Sequence, residues 1–222
     1  MIVREIDAKI AMKLVMDNHY SQRKVGSRYS FGLFADSIVG CCVFSIPASF
    51  TLCNGVCGKE YRNNVLELSR LVVTTKEKNA ASELIGKALR LLAACGDWVI
   101  VSYADCNDHV GHVGYVYQAT NWIYTGHATA EPKWLHPSTR SVISYTRRHI
   151  DKKAAAIGLD WKELIQEKQT GKHRYCTFAG SKKFKKIARS KLKYEEQPYP
   201  KGNTTRHFIE PTKNLQTELV MF

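Results

Sequence analysis

The chain has 222 residues, 44% hydrophobic and 24% charged, which suits one domain or one domain with an appendage around a sizeable core. This composition excludes a fibrous or disordered chain, and no uninterrupted apolar run reaches the length of a membrane span. A formal net charge of +13 favours a polyanionic partner, nucleic acid ahead of an anionic membrane.

The first element is a helix over 7–18, "DAKIAMKLVMDN", with Asp7 as N-cap and Ile10, Leu14 and Val15 as its apolar stripe. It stops at "HYSQR". "YSFGLF" and "IVGCCVFSIP", separated by "ADS", read as a hairpin. Residues 53–64 read as a loop. "CNGVC" in that loop raises zinc, but a structural site needs four ligands in recognisable pairs and no second pair is present. Cys53 and Cys57 therefore read as two free thiols. The seven cysteines are odd in number, and Cys41 and Cys42 read as small buried hydrophobes. "MIVREIDAKI" lacks the apolar region of a secretory signal, so a reducing, cytoplasmic setting is expected.

A regular alternation follows. "LELSRLVV" (66–73) is a strand and "ASELIGKALRLLAAC" (81–95) an amphipathic helix ended by Gly96. "WVIVSYAD" (98–105) is a strand buried on both faces. After the loop "CNDHVGHVG" come a short helix, "YVYQAT", and a strand, "WIYTGHA". Strand–helix–strand steps imply parallel neighbours with right-handed crossovers. The expected class is α/β, a mixed sheet with flanking helices.

Charge divides the rest. Residues 133–206 hold 19 Lys and Arg against 6 Asp and Glu, while the remainder is balanced at 14 and 14. The expected organisation is a neutral core over 1–132, a basic α+β C-terminal extension over 133–206 packed on that core, and a loose tail over 207–222. In the extension, "RSVISY" is strand-like. "RRHIDKKAAAIG" and "DWKELIQEKQTG" read as two short helices about a Gly turn, a helix-turn-helix-like pattern, with a capping box at Asp160 and Glu163. "HRYCTFAG" is a strand. "SKKFKKIARSKLK" is a helix capped by Ser181 and basic nearly all round.

Tyr117 stands four residues before Asn121, where a short helix turns into a strand. This arrangement resembles the end of the GNAT (acetyltransferase-like) fold. The resemblance implies that strands 66–73 and 98–105 splay and hold an acyl-CoA, acetyl-CoA or another acyl donor. Its pyrophosphate would sit at the start of the following helix, near Arg70, Lys76, Lys78, Asn79 and Ser82. The family's Gly-rich loop is replaced by "TTKEKNAAS".

"HYS" (19–21), "ELSRL" (67–71), "SYAD" (102–105), "GHVGYVYQATNWIYTG" and "KHRYCTFAGSKK" with "PYPK" together resemble the phage Mom-type DNA-modification proteins over about residues 10 to 201. That resemblance implies a phage-encoded transferase in the bacterial cytoplasm. It would place a carbamoylmethyl group on adenine N6 of double-stranded phage DNA and shield it from host restriction. It also implies iron, with His19, Tyr20 and Asp105 as its ligands, His109 and His112 being rivals.

The adenine N6 lone pair is delocalised into the ring. Its reaction demands a proton acceptor, donors to the developing charge, and a base taken out of the stack. Asp105, at the C-terminal edge of its strand, reads as the base or orienting group, or else as a turn-capping carboxylate. Arg70, in an otherwise apolar strand, serves either Glu67 or a ligand. Tyr117 reads as general acid or core, and Ser102 as a donor to the acyl oxygen or strand packing. His19 and Tyr20 complete the catalytic candidates. Lys182, Lys183, Lys185, Lys186 and Arg189, with Arg147 and Arg148, form the expected DNA surface; Trp134, Trp161 and Tyr145 are available for stacking, with Trp161 reading better as packing its helix. A homo-oligomer is compatible with this reading. The rival readings are an ordinary acetyl-CoA-dependent N-acetyltransferase and a catalytically silent DNA-binding protein on the same scaffold.

Overall fold

The computed structural model describes residues 1–106, 112–128, 130, 132–169 and 171–202. The expected tail over 207–222 and the rival ligand His109 lie outside the described residues. In chain order the elements begin with β1 (Ile2–Glu5), α1 (Ala8–Asn18), β2 (Tyr29–Phe34), β3 (Ile38–Ser45) and α2 (Phe50–Gly55). They continue with β4 (Val65–Val73), α3 (Ala80–Cys95), β5 (Trp98–Asp105), α4 (Tyr115–Ala119) and β6 (Ile123–Ala128). Then come β7 (Lys133–Leu135), β8 (Val142–Ser144), α5 (Ile150–Ala155), β9 (Ile165–Glu167), β10 (Lys172–Ala179) and α6 (Lys182–Ser190).

The expected α/β class holds. A seven-stranded sheet runs in the order β1-β2-β3-β4-β5-β10-β6. β1 to β4 are joined by antiparallel ladders, and β4 pairs β5 in parallel across α3. Local chemistry accounts for the helices. The Asp7 side chain accepts from Lys9 N and caps α1. α3 buries Leu84, Ile85, Ala88 and Leu92, a stripe at helical spacing, and ends at Gly96 with φ of 151°. Ser181 caps α6 by accepting from Phe184 N.

Cys53 and Cys57 are buried with Val56, Val65, Val99, Val101 and Cys176 in one apolar cluster. The segment expected as a loop forms α2 and a 3-10 turn over Lys59–Asn64, because the two thiols pack as small hydrophobes and draw the chain into the core.

The chain divides into two compact units. One takes Met1–Tyr103, Gly114–Gly126 and the chain from Arg174; the other takes Ala104–Val113 and His127–His173. The boundary drawn by charge at 132/133 is therefore not the one the fold uses. β10 lies between β5 and β6 in the main sheet, and its Tyr175 and Cys176 are fully buried. Net charge is a surface property and does not report which strand fills a sheet. The second unit is close to balanced, with nine Lys and Arg against seven Asp and Glu; residues 174–201 hold nine against two.

The second unit has a three-stranded sheet, β8-β7-β9, and a core of Trp134, Ile150, Ala154 and Leu164. The second helix of the expected helix-turn-helix does not form. Asp160 and Glu163 make their capping box, but the helix ends after the 3-10 turn Trp161–Glu163 and the chain becomes β9. Pairing of Ile165, Gln166 and Glu167 with β7 overrides the local helical preference. Trp134 is buried, and the Arg147 guanidinium lies 4.1 Å over the Trp161 ring, so neither group is a free nucleic-acid contact.

Burial pushes the Cys41 and Cys176 thiols up to about 12, Cys57 to about 11, and the Tyr117 and Tyr175 phenols to about 12. The unfolded chain ionises these groups first. Their contribution to stability is intact below the ordinary thiol value of 9.0 and falls as pH rises from there toward about 12. Urea midpoints measured across the alkaline range are expected to drop steeply above pH 9. A flat profile there would show that these groups are solvated in the folded protein.

Candidate active site

The parallel pairing of β4 with β5 lasts three residue pairs, Val65 with Val99, Leu66 with Ile100 and Glu67 with Val101. Beyond them the strands part. The cause is visible on the other edge of β4: Val43 pairs Arg70 while Phe44 pairs Leu68, so Ser69 is an extra residue, a β-bulge. A bulge bends its strand and increases its twist. Ser69 also hydrogen-bonds to Ser45 across the bulge. The splay implied by the resemblance is thus present over Leu68–Val73 and Ser102–Asp105.

One backbone group in the opening is claimed from within. Ser102 Oγ lies 2.8 Å from the Leu68 carbonyl oxygen and 2.8 Å from the Tyr117 hydroxyl. A carbonyl only accepts, so Ser102 gives its single proton to Leu68 and accepts from Tyr117. Tyr117 comes from α4 and is held by ring contacts to Trp122 and Tyr175, each with centroids 5.1 Å away. Gly114, at φ of 73°, opens that helix; a Cβ there would stand 2.6 Å from the Tyr175 ring. Burial raises the Tyr117 pKa to about 12, with Tyr20, Glu67 and Tyr175 adding to it. The hydroxyl is therefore neutral throughout the physiological range.

Arg70 follows the bulge. Its Nη1 donates to the Ser69 carbonyl at 2.6 Å and its Nη2 to the Arg23 carbonyl at 3.2 Å. Its Nε is buried with no hydrogen-bond partner among the described residues. Burial lowers the Arg70 pKa, opposed by Tyr20 and Glu67. The first unit thus gathers Tyr20, Arg70, Ser102 and Tyr117 of the expected residues, and Glu67 enters as the acidic neighbour of both Arg70 and Tyr117. His19 caps α1, stacks on Tyr20 at 4.3 Å, and its Nδ1 accepts from Ser21 N at 3.1 Å.

The residues present fit an acyl-CoA-type donor. The strands part beyond the pair Glu67 and Val101, and Arg70 Nε is a buried donor with no acceptor among the described residues. Lys76 and Lys78 are exposed beside the N-terminus of α3, where phosphates are favoured. Asn79 adopts the left-handed conformation, φ 65°, which the missing glycine would have supplied, and Ser82 donates to its carbonyl at 2.9 Å.

Asp105 belongs to the second unit, where its carboxylate lies 3.4 Å from Lys172 Nζ and its carbonyl accepts from His112 N. The group of His, Cys and carboxylate donors that converges among the described residues is Cys106, His127 and His173. The expected set of His19, Tyr20 and Asp105 contributes no member to it. Sequence reasoning missed this cluster because its members are scattered along the chain and become neighbours only when β10 enters between β5 and β6. Burial, then His127, lowers the His173 pKa.

On α6, Lys182, Lys183, Lys185, Lys186 and Arg189 are exposed, whereas Ala188 is buried and Phe184 packs on the core. The helix is therefore amphipathic rather than basic all round. Arg189 is paired with Glu196 at 2.8 Å, and Arg148 donates to His149.

The strand order, the bulge at Ser69 and the opening beyond Glu67 define a GNAT-like α/β protein. The chain belongs to the Mom protein family, whose model matches residues 1–201. It is 28% identical over 211 residues to the methylcarbamoylase mom of Escherichia phage Mu, covering 90% of this chain and 83% of that protein. Solved structures similar to it include an acetyltransferase-like protein, yncA of Salmonella typhimurium, with its cofactor acetyl-CoA: 10% identity, TM-score 0.46, 79% of this chain and 92% of that one. Another is an N-acetyltransferase of Staphylococcus aureus Mu50, with 11% identity, TM-score 0.43, and 79% and 96% coverage. No helix among the described residues is long and apolar enough to cross a membrane.

Proposed function

We propose that this protein is a transferase that places a carbamoylmethyl-type or related acyl group on adenine N6 of double-stranded phage DNA, protecting it from host restriction. The observation that carries the reading is the opening between β4 and β5 with the Ser102–Tyr117 hydroxyl pair inside it. Family membership and the phage Mu relative's name support the same reading.

A CoA-type donor, when bound, supplies the activated group. Lys76, Lys78 and the α3 N-terminus would hold its phosphates, and Arg70 Nε would donate to an acceptor on it. Transfer to an amine releases one proton from nitrogen and requires one at the leaving group. Tyr117, neutral and buried, is the proton donor; Ser102 fixes the direction of its O–H. Asp105 is the carboxylate assigned to the amine. The lysines on the exposed face of α6 hold duplex DNA by its phosphates, and the target adenine leaves the stack to react.

Mass spectrometry of nucleosides tests the proposal. Plasmid DNA from bacteria expressing the protein is expected to contain a heavier deoxyadenosine, absent with Asp105→Ala. Unmodified nucleosides from folded, well-expressed protein would overturn it. Acetyl-CoA turnover on small amines with unmodified DNA would establish the ordinary N-acetyltransferase instead, and DNA binding alone the silent binder.

A further inference from the structure

Cys106, His127 and His173 are not used by the proposed transfer. Cys106 follows β5, His127 stands in β6 and His173 in β10, and these three strands are neighbours in the order β5-β10-β6. All three residues belong to the second unit. Their donor atoms, Sγ and one ring nitrogen from each histidine, lie within 4.8 Å of one another. The two imidazoles meet edge to face, centroids 4.3 Å apart. The Cys106 thiol points at the Gly171 carbonyl. Gly171 lies beside the cluster: a Cβ there would stand 2.6 Å from the Ala128 carbonyl, and His127 Nδ1 at 3.5 Å would be in ordinary contact with it. His173 is buried, Cys106 half-buried and His127 exposed, so the group has a buried base and a path to solvent.

We propose that Cys106, His127 and His173 bind a zinc-class divalent cation, a site separate from the Ser102–Tyr117 hydroxyl pair and independent of the transferase reading. Thiolate sulfur and imidazole nitrogen are the donor types that zinc takes in tetrahedral sites. Ideal zinc–nitrogen and zinc–sulfur lengths place such donors about 3.3–3.6 Å apart. The donors, all within 4.8 Å of one another, would draw closer on binding. On binding, sulfur exchanges its proton for the ion and the proton goes to solvent. Three protein ligands leave a fourth position for water. Asp105, one residue before Cys106, is paired with Lys172 and stays outside the set. The ion would tie together the ends of three strands that are far apart along the chain.

Chelator-treated full-length protein titrated with cobalt(II) is expected to take up one ion per chain. A sulfur-to-cobalt charge-transfer band should appear and be abolished by zinc. Cys106→Ser should lose the band, and His127→Ala, at an exposed position, should weaken zinc binding at least tenfold while circular dichroism stays unchanged. Three results would overturn the proposal: no stoichiometric uptake by folded protein, uptake without the sulfur band, or a band that survives Cys106→Ser. The last would move the metal to another thiol.

Discussion

Tyr117→Phe is expected to lower the rate of adenine modification by about 10²–10⁴-fold, the usual worth of a positioned acid or base. The substitution removes one oxygen and leaves the ring against Trp122 and Tyr175. Ser102 keeps its bond to the Leu68 carbonyl, so both groups retain a partner, and Ser102 Oγ loses only the hydrogen bond it accepted from Tyr117. The melting temperature should therefore barely move, and the loss should fall on kcat with KM for DNA unchanged. Ser102→Ala differs in kind. It strips the Leu68 carbonyl of its donor and costs about 1–3 kcal/mol of stability, besides freeing the Tyr117 hydroxyl to rotate. A Tyr117→Phe protein that modifies DNA at the wild-type rate would reduce Tyr117 to a core residue. Because burial lifts Tyr117 to about 12, an alkaline fall in rate near neutral pH belongs to another group.

Replacing Lys182, Lys183, Lys185 and Lys186 with glutamine should weaken DNA binding equally for every sequence. It should also flatten the salt dependence, by about 0.9 in the log–log slope for each phosphate that is no longer neutralised. If all four lysines neutralise phosphates, the slope falls by roughly three to four. The reason is geometric. α6 turns Phe184 and Ala188 into the core and leaves these lysines in water, so they offer charge without a fixed geometry for base edges. Arg147→Gln is the contrasting control. Its guanidinium covers the Trp161 and Trp134 rings, so its removal should destabilise the second unit and leave the slope nearly unchanged. A slope unaltered by the four lysine changes would place the DNA surface elsewhere.

Much of the fold was legible in the amino-acid order. Asp7 and Ser181 mark helix starts through hydrogen bonds made within a turn, Gly96 ends α3 at a φ that favours glycine, and the α3 stripe follows from helical period. The opening that the sheet contains was implied by the resemblance of the segment around Tyr117 and Asn121 to the GNAT fold, not by any local pattern. The helix caps and the α3 stripe are local signals, and local physics determines them. Three features were decided only by tertiary structure. Ser69 becomes a bulge only opposite β3, and that bulge parts β4 from β5. Residues 165–167 become a strand only because β7 offers a partner. β10, separated from β6 by the whole of β7 to β9, slots between β5 and β6, which overrides the boundary that charge implied and assembles Cys106, His127 and His173. Pairing between distant segments depends on the summed burial of a whole sheet, and no short window of sequence carries that sum.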